Sequence, residues 1–157
     1  MMKIVLVQDC HSVGESNLHL QFTPKYRKKV FEDDEIRLSC ELIFKGVAEK
    51  LKVGLAGIGF GPDHCHLFVC GWKNYSIAEL ARKFKGIASR LIRKNYHARL
   101  STILWGDAFW TGGYFYRTVG AVTAESMKKY VIESQEKHWV KTREKPIETQ
   151  TTLLQFK

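Results

Sequence analysis

A mixed α+β fold built on one antiparallel sheet is predicted by three features of this sequence. Leu18, Leu20 and Phe22 alternate with polar residues over 18–23, the period of a half-buried strand. Two longer segments, from Glu32 to about Lys50 and from Ser76 to about Ile92, carry apolar residues at steps of three and four. Between them, the apolar run Val53 to Phe60 meets the turn Gly61-Pro62-Asp63 and returns through His64 to Cys70, the pattern of a hairpin.

Each element has a local reason. Pro24 ends the first strand, and Lys25 to Lys29 follows as a basic turn. Glu32, Asp33, Asp34 and Glu35 open the first helix, where acidic side chains complement the positive end of the helix dipole. Ile36, Cys40, Ile43, Val47 and Leu51 form its stripe. Glycines in the 53–60 strand allow close approach of another backbone. Ser76 and Glu79 form a capping box at the start of the longest helix. Tyr114 to Val119 reads as a fourth strand, and Thr123 caps a last helix to about Trp139. The order β-α-β-β-α-β is that of a ferredoxin-like (RRM-like) antiparallel sheet with helices on one face, plus a C-terminal helix.

The 157 residues, 45% of them apolar, suffice for one domain over 1–157, with a polar tail from about Lys141. No apolar run reaches the roughly 20 residues that a bilayer span needs, and Met1 to Asp9 lacks a cleavage site, so a cytoplasmic protein with no membrane partner is expected. Cysteines 10, 40, 65 and 70 lack zinc spacing and are expected to be buried free thiols. The net charge of +9 points to a polyanionic partner, most often nucleic acid.

Three features could carry chemistry. His64 and His66 share one strand face about 6.6 Å apart, where two imidazoles can converge on a divalent ion. The plain alternative is two polar residues on an exposed face. Asp63 could orient an imidazole. Tyr130, on the last helix with Met127, Val131 and Ser134, is either a core tyrosine or a phenol nucleophile, which with a pKa of about 10 would need help from a metal. The long helix carries Arg82, Lys83, Lys85, Arg90, Arg93 and Lys94 against the single acid Glu79. Such a face could grip a nucleic-acid backbone while nearby aromatics stack on bases.

In this order, His19 to Val30 (HLQFTPKYRKKV), Asp63 to Leu67 (DHCHL), Leu80 to Leu91 (LARKFKGIASRL), Leu104-Trp105, Gly113 to Phe115, Thr118 to Gly120 and Lys128-Lys129-Tyr130 span most of the chain. Together they resemble the single-tyrosine, His-hydrophobe-His transposases of small insertion sequences of the 200/605 type. The resemblance implies cleavage and rejoining of single-stranded DNA at hairpin-bearing element ends, in the cytoplasm of a prokaryote. Tyr130 would be the catalytic nucleophile, forming a 5′-phosphotyrosine intermediate. His64 and His66 would hold Mg²⁺ or Mn²⁺, and Lys83, Lys85, Arg90, Arg93 and Lys94 would bind DNA. A homodimer with active sites shared between subunits is implied too.

One departure from the family pattern concerns the third metal ligand. The family places a Gln four residues after the tyrosine; here that position is Ser134, and Gln135 stands five on. Gln135 is carried over as the metal ligand, although on a regular helix it points about 140° away from Tyr130 and Glu133 or Ser134 faces better. Two other readings compete: an inactive or domesticated relative that only binds hairpin single-stranded nucleic acid, and an RNA-binding module stacking bases on Tyr114 and Tyr116. Deaminase chemistry lacks its H-x-E and P-C-x-x-C signature.

Overall fold

The computed structural model describes residues 7–9, 11–120, 125, 126 and 129. Its main sheet has four strands: β3 (Asn17–Phe22), β4 (Gly54–Gly61), β5 (His64–Cys70) and β6 (Phe115–Val119). A small hairpin, β1 (Val7–Asp9) and β2 (Ser12–Gly14), precedes them. The helices are α1 (Asp34–Leu51), α2 (Ile77–Asn95) and the short α3 (His97–Ile103). The strands lie side by side as β4-β5-β3-β6, every neighbouring pair antiparallel. This is the predicted ferredoxin-like arrangement: the two outer strands each return beside a central strand through a helix.

Alternation along the central strands decides what each face carries. Leu18, Leu20 and Phe22 of β3 stand opposite Val69, Leu67 and Cys65 of β5, and all six are buried. They form one core with Ile36, Cys40, Ile43, Phe44 and Val47 of α1 and Leu80, Phe84, Ala88 and Ile92 of α2. Phe44 binds the layers together, its ring 6.2 Å from Phe22, 5.9 Å from Phe84 and 6.3 Å from Trp110. The other phase of the same strands, His19 and His66 among them, takes the opposite face of the sheet.

The predicted element edges shift at α1. Residues Val30–Glu32 form a single 3-10 turn, and Asp33 is the N-cap, its side chain accepting from the backbone N–H groups of Glu35 and Ile36. The acids that complement the dipole are therefore Asp34 and Glu35. At α2 the capping box of Ser76 and Glu79 forms as expected. Two elements escape the periodicity, the β1–β2 hairpin and α3. The first has three residues per strand, and α3 buries only Leu100. Arg99 of α3 reaches the start of α1, bonding Asp33 at 3.0 Å and Glu35 at 2.6 Å.

The segment before β6 is held onto β3 and α2. Thr111 N–H donates to Thr23 O and Lys25 N–H to Phe109 O, while Phe109 and Trp110 are buried. Trp110 Nε1 donates to Lys85 O, and Lys85 Nζ donates back to Thr111 O and Gly113 O. Among the described residues the cysteines 40, 65 and 70 are free and buried, as expected. No described helix is long and apolar enough to cross a membrane.

Candidate active site

The histidine face of the sheet is set by register. Gln21 of β3 stands opposite His66, and His19 opposite Phe68. On the far side of β5, Gly61 and Gly59 stand opposite His64 and His66. The two imidazoles lie with ring centroids 4.9 Å apart and planes nearly perpendicular. Both side chains are buried, at 3% and 7% exposure, so the pair is not an open polar patch.

Each ring is oriented by a partner at Nδ1. His64 Nδ1–H donates to Asp63 Oδ1 at 2.8 Å. Arg27 Nε in turn donates to Asp63 Oδ2 at 3.1 Å. Burial pushes the Asp63 carboxyl up, but the hydrogen bonds from His64 and Arg27 outweigh it and hold it below its ordinary value. Arg27 reaches this position from a turn in which Tyr26 and Arg27 both take left-handed backbone angles, with φ of 59° and 51°. Non-glycine residues adopt that region at a cost of about 1–2 kcal/mol each, so the turn is held by its surroundings.

His66 Nδ1 lies 2.9 Å from His19 Nε2. The His19 ring stacks on Phe68 at 4.7 Å and meets the edge of Phe115 at 5.7 Å. Burial, and then the nearby Arg117, lower the His19 pKa from 6.5 to about 4. His19 is therefore neutral at physiological pH.

Two glycines of β4, Gly54 and Gly61, make room for side chains rather than for another backbone. A Cβ at residue 61 would overlap the His64 imidazole, and a Cβ at residue 54 would overlap Cys70 Sγ. Gly61 thereby leaves room for a site imidazole.

Two imidazoles with Nδ1 engaged suit coordination of a divalent cation through Nε2. Among the described residues no group of three His, Cys, Asp or Glu side chains is arranged to hold a metal ion, so the pair would need a further ligand from elsewhere. Tyr130 and Gln135, and the alternatives Glu133 and Ser134, lie outside the described residues.

The five basic residues of α2 expected to bind DNA divide into two groups. Lys83, Arg90 and Lys94 recur at steps of seven and four, which brings them onto one helix edge; Arg90 and Lys94 are exposed and Lys83 half-buried. Lys85 and Arg93 instead hold the chain before β6: Arg93 donates to Ala108 O at 2.7 Å, and burial lowers the Lys85 pKa. Their run of charge looked uniform in the sequence because nothing there reveals which carbonyls fold over the helix.

His19, Arg27 and Gly61 went unmarked as site residues in the sequence. His19 alternates out of phase with Leu18 and Leu20, which puts it on the non-core face. Nothing local says that β3 lies beside β5 in this register.

Tyr116 faces away from the histidines, because it stands opposite core residue Leu20. Base stacking on the open face of an RNA-binding sheet is therefore not available to Tyr116.

The family model described as "Transposase IS200 like" matches residues 12–135. The chain belongs to the IS200-like transposases. It is 28% identical over 123 residues to the ISDra2 transposase TnpA of Deinococcus radiodurans, covering 78% of this chain and 86% of that one. A crystal structure from D. radiodurans R1 of a protein assigned as a transposase matches with a TM-score of 0.65 at 25% identity, over 82% of this chain and 97% of that one. A REP-associated tyrosine transposase bound to a REP hairpin shares the fold, with a TM-score of 0.55 at 12% identity, over 80% and 70% of the two chains. The chain is thus a transposase, an enzyme of insertion-sequence transposition that acts on DNA.

Proposed function

We propose that this transposase cuts and rejoins single-stranded DNA at hairpin-bearing ends of its element. The observation that supports this most is the buried His64/His66 pair, each ring fixed at Nδ1 and turned to the same face of the sheet. Order of that kind is costly to build into an interior unless something is to be held there.

In this reading the Tyr130 oxygen attacks the scissile phosphorus as its phenolic proton departs. A phosphotyrosine bond forms, the bond from phosphorus to the 3′ oxygen breaks, and that oxygen leaves as a 3′-hydroxyl. Rejoining is the reverse: an incoming 3′-hydroxyl attacks the phosphotyrosine, restores a phosphodiester and returns the phenol. The bond energy stays in the covalent link, so no nucleotide triphosphate is consumed. His64 and His66 would hold Mg²⁺ or Mn²⁺, with Gln135 carried over from the family as third ligand. When bound, that cation would polarise the phosphate and make it a better target for a weak nucleophile.

Asp63 and His19 fix the two rings. Lys83, Arg90 and Lys94 offer positive charge along one edge of α2 for the DNA backbone, while Lys85 and Arg93 serve it chiefly by fixing the approach to β6. The protein would act in the cytoplasm, where the element's DNA is, as a homodimer whose subunits share active sites. A hairpin partner is in keeping with the REP hairpin bound by the REP-associated relative.

The test is covalent trapping. Full-length protein is mixed with 3′-labelled single-stranded DNA from the flanks of its own gene, with Mg²⁺ or with chelator, and resolved under denaturing conditions. A cation-dependent labelled protein band, absent in Tyr130→Phe while gel-shift binding persists, is the expected result. The displacement of Gln135 by one residue favours a second reading, a relative that binds hairpins without cutting. Tight binding with no covalent band would establish that alternative.

A further inference from the structure

We propose that His19 is the positioning residue for His66: its Nε2 accepts a hydrogen bond from His66 Nδ1–H and so fixes the tautomer in which His66 Nε2 can donate its lone pair to a divalent cation. The proposal rests on the metal reading above and deepens it.

A neutral imidazole carries one proton, and the nitrogen without it is the one that can coordinate. To bind through Nε2, a histidine must hold its proton on Nδ1, and an acceptor there selects that tautomer. His64 has the Asp63 carboxylate, which can only accept. For His66 the group at Nδ1 is His19, at 2.9 Å. An imidazole in that place can accept through Nε2 when its own proton sits on Nδ1.

The surroundings hold His19 for this task. It sits within β3, opposite Phe68 on one side and Arg117 on the other. Its ring lies nearly parallel to Phe68, with 11° between the planes, and meets Phe115 edge-on. These contacts fix the plane of the ring, and the strand pairing of β3 with β5 fixes its height. The ring is 5.1 Å from His66, centroid to centroid, and tilted by 32°, so the contact is made at the nitrogens rather than by stacking. The paired histidines thus have unlike supports: an acidic loop residue for one, a buried strand imidazole for the other.

The test uses two variants of the full chain. His19→Gln keeps an acceptor oxygen near the same place; His19→Phe keeps the aromatic packing and removes the acceptor. Imidazole ¹⁵N NMR of the metal-free protein reads the tautomer directly. His66 protonated at Nδ1 in the native chain and in His19→Gln, with a shift toward the Nε2–H form in His19→Phe, is expected. Calorimetric titration with MnCl₂ should show affinity falling roughly 10–100-fold in His19→Phe and largely restored in His19→Gln, with Tm and circular dichroism recorded for both.

His66 protonated at Nε2 in the native chain would overturn the proposal, and this result needs no variant to fold. So would a folded His19→Phe that binds Mn²⁺ as the native chain does. If the native chain binds no Mn²⁺ at all, the metal reading fails and takes the proposal with it. Binding by the native chain that is lost in His64→Ala but unaffected in His19→Phe removes only the role of His19.

Discussion

The imidazole of His64 occupies the space that a Cβ on Gly61 would fill. The two residues stand opposite each other across the β4–β5 hairpin, and the turn between them carries Asp63, the partner of His64. Gly61→Ala should therefore push the ring out of its place. We expect at least about a tenfold loss of Mn²⁺ affinity, the scale seen when a ligand's orientation is disturbed, with an unchanged circular dichroism spectrum. Gly54→Ala is the control: at the other end of the same strand it meets Cys70 Sγ, so it should lower Tm and leave cation affinity alone. Equal Mn²⁺ binding by Gly61→Ala and the native chain would refute the cradle.

The Arg27–Asp63–His64 chain should matter more to the site than to folding. The Arg27 side chain is 72% exposed, and exposed ion pairs contribute about 0–1 kcal/mol. Arg27→Gln is expected to leave urea stability within that range, whereas Asp63→Ala should cut cation affinity and covalent-band yield by at least about tenfold. The pH dependence has a definite sign. A carboxyl held below its unfolded value adds stability above that unfolded value and loses it as pH falls through the folded one. The stability difference between the native chain and Asp63→Ala should accordingly be constant at neutral pH and close in acid. A difference that grows as pH falls would contradict the assignment.

The two classes of basic residue on α2 should separate experimentally. Glutamine at 83, 90 or 94 should each reduce the salt dependence of single-stranded DNA binding, by about 0.7 in the log–log slope for every phosphate left without its cation. Fluorescence anisotropy across a salt series measures this, and stability should move by no more than about 0.5 kcal/mol. Lys85→Met removes the donor to Thr111 O and Gly113 O, and should cost about 1–3 kcal/mol in urea unfolding. A Lys85→Met protein of native stability would show that this strut is dispensable.

The buried thiols give a simple check on the core. Burial raises the pKa values of Cys40 and Cys65, so neither should exist as the reactive thiolate near neutral pH. Both should resist iodoacetamide at pH 8 in the folded protein and react in urea, as read by peptide mass mapping. Rapid labelling of Cys65 in the folded chain would mean that the β5 core face opens.

Much of the site was legible because short-range rules set it. The H-x-H spacing puts His64 and His66 on one face of whatever strand they form. The GPD turn delivers Asp63 to the neighbouring imidazole, and the Ser76/Glu79 pair starts α2 where it should. The start of α1 was less exact, because four acids in a row all suit the positive end of a helix dipole and only the 3-10 turn at Val30–Glu32 makes Asp33 the cap.

The sequence by itself determined the alternation that sorts core from site face, the helix stripes, the caps and the histidine pair, since all of these depend on neighbours within a few residues. Tertiary structure decided what lies beside what. Placing β3 between β5 and β6 brings His19 to His66 from 47 positions away, and the left-handed turn at Tyr26 and Arg27 carries a guanidinium 36 positions to Asp63. Folding of the 104–113 segment across α2 turns two of its basic residues into struts. These contacts follow from strand order and loop path, which minimise the free energy of the whole chain and leave no periodic mark on any one segment.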